Sequence, residues 1–304
     1  MRPTPRLAVG ALALGAALAL SACSSSDPMS ESSSGSSSDA ESVIIGSADF
    51  SESQLLATIY SQALQDKGVA VEEKLNIGSR EVYMQALQDG SIDLLPEYTG
   101  YLLAYLDPDT TITESSAVMG ALADALPEGI TALDMSEAED KDALVVTSEL
   151  AQEHGLSTIS DLEPIASTLV LGGPPEWKDR HEGVPGLKEV YGLEFKDFQI
   201  LDAGGPLTLA ALQGGQIQVG DLFSSDPSIA ENDFVTLEDD KSLFPSANVV
   251  PIIRESKVSD TVTSTLNAVS AALTTDDLLT MNGRVNSGDD IETIARDWLT
   301  EKGL

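Results

Sequence analysis

Two stretches of this chain follow one pattern, and a pattern used twice restricts the fold more than any other feature of the sequence. LNIGSREVYMQALQDGSIDLLPEY (75–98) and LDAGGPLTLAALQGGQIQVGDLF (201–223) each run from a strand end through a glycine turn into a helix. Each helix closes on Ala-Leu-Gln-x-Gly and leads into a strand beginning with Ile. Aligned on Ala-Leu-Gln, Tyr98 falls opposite Phe223. The repetition predicts two α/β lobes of similar build, one around each copy. Around the first copy the pattern predicts a strand over 42–46 and a helix over 51–65 with Ser51 as its cap. A strand near 69–75 follows, then a helix over 79–89 ended by Gly90, and a third strand over 92–95 that Pro96 stops. Strands alternating with helices across short loops make a largely parallel sheet covered on both faces. The stretch 260–304 reads as helices that pack back on the first lobe.

In open α/β sheets a ligand sits beyond the carboxyl ends of the strands. Tyr98 and Phe223 each come just past such an end, one per lobe. Two aromatic faces approaching from two lobes suit a sandwiched ligand. For a cation, each face offers roughly 0.5–2 kcal/mol depending on desolvation. The competing reading is that both rings belong to the lobe cores.

The amino-terminal segment sets a location. The apolar run over 7–20 is shorter than the roughly 20 residues a spanning helix needs. It follows Arg2 and Arg6 and ends in small residues, the layout of an export signal over 1–22. Leu20-Ser21-Ala22-Cys23 resembles the lipobox of bacterial lipoproteins, which makes Cys23 a lipid acceptor and the mature amino terminus. Cys23 is the single Cys in 304 residues, so no disulfide forms within the chain and the fold rests on its core. The Ser-rich stretch that follows has little to bury and reads, with Cys23, as a flexible tether over 23–42. The formal net charge of −34 argues against nucleic acid and anionic lipid headgroups as partners. Most such charge serves solubility, and it is compatible with a cationic ligand.

Signals for catalysis are lacking. His154 and His181 are far apart and in no motif, and no nucleophile elbow, zinc-protease helix or phosphate loop occurs. Gly204-Gly205-Pro206, at a helix start, offers backbone N–H groups to an anion or simply lets the chain bend. The chain is expected to be no enzyme, with no cofactor and no metal. The rival is a lipid-anchored extracellular hydrolase acting on polysaccharide or peptide.

Three segments carry a family resemblance: Gly46-Ser47-Ala48-Asp49-Phe50-Ser51-Glu52, Pro96-Glu97-Tyr98-Thr99-Gly100 with its strand, and Pro185-Gly186-Leu187-Lys188-Glu189-Val190-Tyr191-Gly192. They are similar to the substrate-binding proteins of osmoprotectant ABC importers, the glycine betaine, choline and carnitine binders of the OpuAC/ProX type. The resemblance implies a two-lobed, type II periplasmic-binding-protein-like α/β fold with the cleft between lobes joined by two crossings. Lobe 1 would take 43–142 with 249–304, and lobe 2 would take 143–248. It implies capture of a small organic cation or zwitterion and delivery to an ABC permease and its ATPase. The protein would be a monomer at the outer face of the cytoplasmic membrane, held by lipid alone.

By this resemblance Tyr98 and Phe223 are box aromatics and Arg180 holds a ligand carboxylate. Departures from the pattern are Ala48 for a lysine, Tyr101 for a threonine and Asp142 for a box tyrosine. Another box tyrosine is absent near Asn248. Tyr101 or Trp177 would rebuild part of the box, and Asp142 would set a full negative charge beside the ammonium. Asp49, Ser51 and Asn248 complete the candidate set. These departures leave open a different small cation or zwitterion in the same fold.

Overall fold

The structure, a computed structural model, describes residues 42–304. Cys23, expected as a lipid acceptor, and its flanking segment lie outside the described residues. Two five-stranded sheets form the frame. The first holds β1 (Val43–Gly46), β2 (Val71–Lys74), β3 (Leu94–Tyr98) and β4 (Ile130–Ala132). The second holds β5 (Asp142–Val146), β6 (Val170–Gly173), β7 (Asp197–Ile200), β8 (Val219–Phe223) and β9 (Val235–Thr236). The chain then returns to the first sheet as β10 (Val249–Arg254). The orders are β2-β1-β3-β10-β4 and β7-β6-β8-β5-β9.

Each sheet has the same internal logic. Three strands pair in parallel, and one strand that has just crossed from the other sheet runs against them: β10 beside β3, and β5 beside β8. β3 and β8 therefore occupy equivalent places, as the repeated sequence implies. Tyr98 and Phe223 are their last residues. Tyr98 pairs with Val249 and Phe223 with Asp142, the first residues of the two crossing strands. The topology thus brings both rings to the seam where the chain changes lobes.

The seam is itself paired. Glu139 and Asn248, one on each crossing, form an antiparallel bridge, with Asp140 N–H donating to the Ala247 carbonyl and Val249 N–H to the Ala138 carbonyl. Asn248 holds this junction with its side chain: Nδ2 donates to the Ser136 carbonyl, and Oδ1 accepts from Ser115 and Ser246.

Apolar residues bury both faces of each sheet, as alternation of strand and helix requires. On one face of the first sheet, Ile45 and Leu94 pack with Leu55, Leu56 and Ile59 of the helix Ser51–Asp66. Leu266, Ile294 and Trp298 of the carboxyl-terminal helices Asp260–Ala272 and Ile291–Lys302 close that face. A third helix, Thr275–Asn286, lies between those two in the chain. Met84, Leu87 and Leu102 cover the other face. In the second sheet, Leu144, Leu171 and Val219 pack with Trp177 and Leu187, and Val145 and Leu222 with Leu212 on the reverse.

Two local expectations fail for physical reasons. Pro96 does not end the third strand, which runs to Tyr98. It lies past β1, which pairs with β3 only at Ile45–Leu94, and it faces Pro251 across the antiparallel pair. Pro96 is then asked for no ladder N–H. Ser51 makes no capping hydrogen bond; Phe50 takes the cap position and Ser51 is the first helical residue.

Candidate functional site

Between the lobes lies a cleft of about 650 Å³, part of it open to solvent. Its walls come from the ends of strands and the turns beyond them. Phe50 follows β1, Tyr98 ends β3 and Phe223 ends β8. The three rings converge. Phe50 lies 6.1 Å from Tyr98 and 5.3 Å from Phe223 between centroids, tilted by 33° and 50°.

Tyr98 and Phe223 are each held from behind. The Tyr98 hydroxyl donates to Glu52 at 2.6 Å. Glu52 is itself buried and also accepts from Ser225 Oγ and Asn282 Nδ2, each at 2.6 Å. Ser225 follows β8 in the second sheet, while Glu52 and Asn282 belong to helices packed on the first, so the support crosses the cleft. Phe223 rests on the backbone of Gly204, whose φ is +63°. A Cβ there would stand 2.8 Å from the ring, so only glycine fits.

The remaining lining is rich in charge: six carboxyl groups, from Asp49, Asp140, Asp142, Glu176, Glu182 and Asp221, face two guanidinium groups, from Arg80 and Arg180. Both arginines already hold protein carboxylates. Arg80 forms a fork with Glu97 at 2.7 and 2.9 Å, and Tyr83 Oη donates to the same carboxylate. Burial alone would lower the Arg80 pKa, but the adjoining Glu97 charge overrides it and keeps the guanidinium firmly charged. Arg180 reaches across the cleft to Glu81 with three contacts of 3.0–3.1 Å. Burial works to raise the Glu81 carboxyl, yet the hydrogen bonds from Arg180 and Ser79 bring it down to about 2.

The acids behave differently. Burial first, and then the charge of Glu182, push Asp142 up to about 7. Asp221 is held well above the usual carboxylate range by burial and by its neighbour Asp142. Asp140 is raised by burial and by Glu52, although Ser225 N–H and Ser224 Oγ donate to it.

Of the residues singled out from the sequence, Asp49, Tyr98, Tyr101, Asp142, Trp177, Arg180 and Phe223 line the cleft. Tyr101 accepts the Asp142 N–H at 2.8 Å, joining the helix Thr99–Leu106 to the start of β5. Trp177 is 1% exposed and stacks on Phe244 at 6.3 Å, so it is chiefly core of the second lobe with an edge to the cleft. Ser51 and Asn248 are not among the lining residues: Ser51 opens a helix on the exposed side, and Asn248 serves the crossing. The helix start at Gly204-Gly205-Pro206 offers little to an anion, because the Asp202 carboxylate already accepts from the Leu207 and Thr208 N–H groups.

Sequence reasoning missed Phe50, Arg80 and Asp221. Phe50 obeys the same strand-end rule as Tyr98. Asp221 carries a signal too, as the one acid inside the apolar strand Val219–Phe223. Among the described residues no group of His, Cys, Asp and Glu could hold a metal ion, and no helix is long and apolar enough to cross a membrane.

Comparison with known proteins agrees with this geometry. A glycine-betaine-binding protein of Pseudomonas aeruginosa is 28% identical over 228 residues, covering 71% of this chain and 72% of its own. The glycine betaine-binding protein YehZ of Escherichia coli is 25% identical over 279 residues, covering 87% and 92%. A crystal structure titled as a glycine betaine/carnitine/choline ABC transporter shares the fold, with a TM-score of 0.69 at 24% identity over 85% of this chain and 98% of that one. The model of the substrate-binding domain of ABC-type glycine betaine transport systems matches residues 41–301, and the chain belongs to that family.

Proposed function

We propose that this protein captures a small quaternary ammonium compound outside the cytoplasmic membrane and delivers it to an ABC permease driven by a cytoplasmic ATPase. Glycine betaine, choline and carnitine are the compounds in view. The observation that carries this reading is the convergence of Phe50, Tyr98 and Phe223 from both lobes on a cleft walled by carboxyl groups. A trimethylammonium head has no N–H to donate, so it is recognised by π faces and by diffuse negative charge. Each desolvated ring contributes about 1–2 kcal/mol. The family and the ligand named for the Pseudomonas and Escherichia relatives support the same class.

The work is capture rather than catalysis. An open form admits the ligand, and only the closed form lets one ligand touch Tyr98 and Phe223 together, so binding selects closure. The closed form is the one a permease would read. Cys23, acylated, keeps the receptor at the membrane, and the receptor acts as a monomer.

Calorimetric titration with glycine betaine, choline, carnitine and proline betaine tests the reading. Micromolar or tighter binding of at least one is expected, with Tyr98→Ala at least tenfold weaker. No binding of any of the four to folded protein would sink it.

A further inference from the structure

The cleft pairs its cations and leaves two acids with only each other. Arg80 and Arg180, its two guanidinium groups, are each closed by a fork to a protein carboxylate, Glu97 and Glu81. A ligand carboxylate would have to share a guanidinium whose charge one of those partners already offsets. Asp221 is the reverse case. It is 0% exposed and lines the cleft from β8, and among the described residues no N–H, hydroxyl or cation reaches its oxygens; the side chain that bonds to it is the Asp142 carboxyl. The group that adjoins it is another acid, Asp142. Buried acceptors are normally matched by donors, and an acid held only by a second acid is a place for a cationic donor to arrive. Two adjoining carboxyl groups also repel when both are ionised, which a positive charge between them relieves.

The position is suited to a ligand already gripped by the rings. Asp221 and Phe223 lie two residues apart on one face of β8, about 6.6 Å along the strand. Asp142 pairs directly with Phe223. A donor attached to an ammonium head by a two- or three-atom linker spans that interval.

We infer that Asp221, with Asp142 beside it, forms an accepting subsite for the far end of an organic cation. The cleft then prefers cations that end in a hydroxyl or an amine over zwitterions that end in a carboxylate. This rests on the quaternary ammonium reading of the aromatic side and narrows it.

Calorimetry at pH 8 with choline, (2-aminoethyl)trimethylammonium and glycine betaine separates the two ideas. The first two are expected to bind at least tenfold tighter than betaine. Asp221→Asn, which keeps shape and removes the charge, is expected to shrink that preference to under threefold. If that variant does not fold, Asp142→Asn takes its place, and the wild-type ranking stands as a test by itself. Betaine binding as tightly as choline, or a preference that survives Asp221→Asn in folded protein, overturns the accepting subsite while leaving the quaternary ammonium reading intact. Absence of binding by all three, in wild type and Phe223→Ala alike, overturns that reading and the subsite with it.

Discussion

Single residues set the chemistry of the cleft, and two of them make sharp tests. Gly204 supports the Phe223 ring only because it lacks a Cβ and adopts a φ of +63°. Gly204→Ala is expected to push the ring off its seat and weaken ligand binding by about tenfold, or about 1.4 kcal/mol, in a titration calorimeter. Unchanged affinity would mean that the ring position does not matter. Asp142 offers a test by pH. Burial and Glu182 hold it at about 7, while Arg180, Arg80 and a hydrogen bond to Tyr101 oppose them. Unfolded, an aspartate titrates near about 3.9. Between those values the folded chain keeps a proton that the unfolded chain has released. The stabilisation is therefore whole below about 4 and is lost as pH rises through about 7. The Tm of wild type minus that of Asp142→Asn is expected to fall between pH 4.5 and 8, and a flat difference would refute the shift. At this scale the sequence was partly readable. Arg180 lines the cleft, but its partner Glu81 lies 99 residues away, a distance at which no local pattern operates. Asp221 is not legible as a site in the sequence, because an acid in an apolar strand reads first as a break in the pattern.

Elements carry those residues to one place. The repeated strand–helix–strand unit was legible because its turn glycines and its Ala-Leu-Gln helix ends are local signals. It led to β3 and β8 in equivalent positions, with Tyr98 and Phe223 as their last residues. The passage of β3 through Pro96 was not legible, since it depends on where β1 stops and on Pro251 arriving opposite from the far end of the chain. Glu52 shows how the helix Ser51–Asp66 serves the site. It takes donors from β3, from the turn after β8 and from the helix Thr275–Asn286. Glu52→Ala would leave two buried hydroxyl donors, Tyr98 and Ser225, without that acceptor, at roughly 1–3 kcal/mol each where no water enters, while Asn282 keeps its bonds to Ser225. A loss of at least about 2 kcal/mol in urea unfolding is expected, along with weaker ligand binding. Full stability in that variant would show that the buried hub holds nothing together.

At the scale of the molecule, two sheets of the same order are joined by paired crossings, and the cleft lies where β5 and β10 begin. On the proposed reading ligand capture and lobe closure become one event, because the rings that line the cleft belong to different sheets. Location is a separate matter, and the proposed anchor is Cys23. Cys23→Ala is expected to release the protein into the medium with its ligand affinity intact, read by fractionation and calorimetry. Retention at the membrane would place the anchor elsewhere. The most direct test of capture between lobes is the affinity of Phe223→Ala for whichever quaternary ammonium compound the wild type binds. Phe223 is the ring of the second sheet, and its loss is expected to weaken binding at least tenfold, about 1.4 kcal/mol. An affinity equal to that of the wild type would contradict capture between the lobes and leave Phe223 as a core residue.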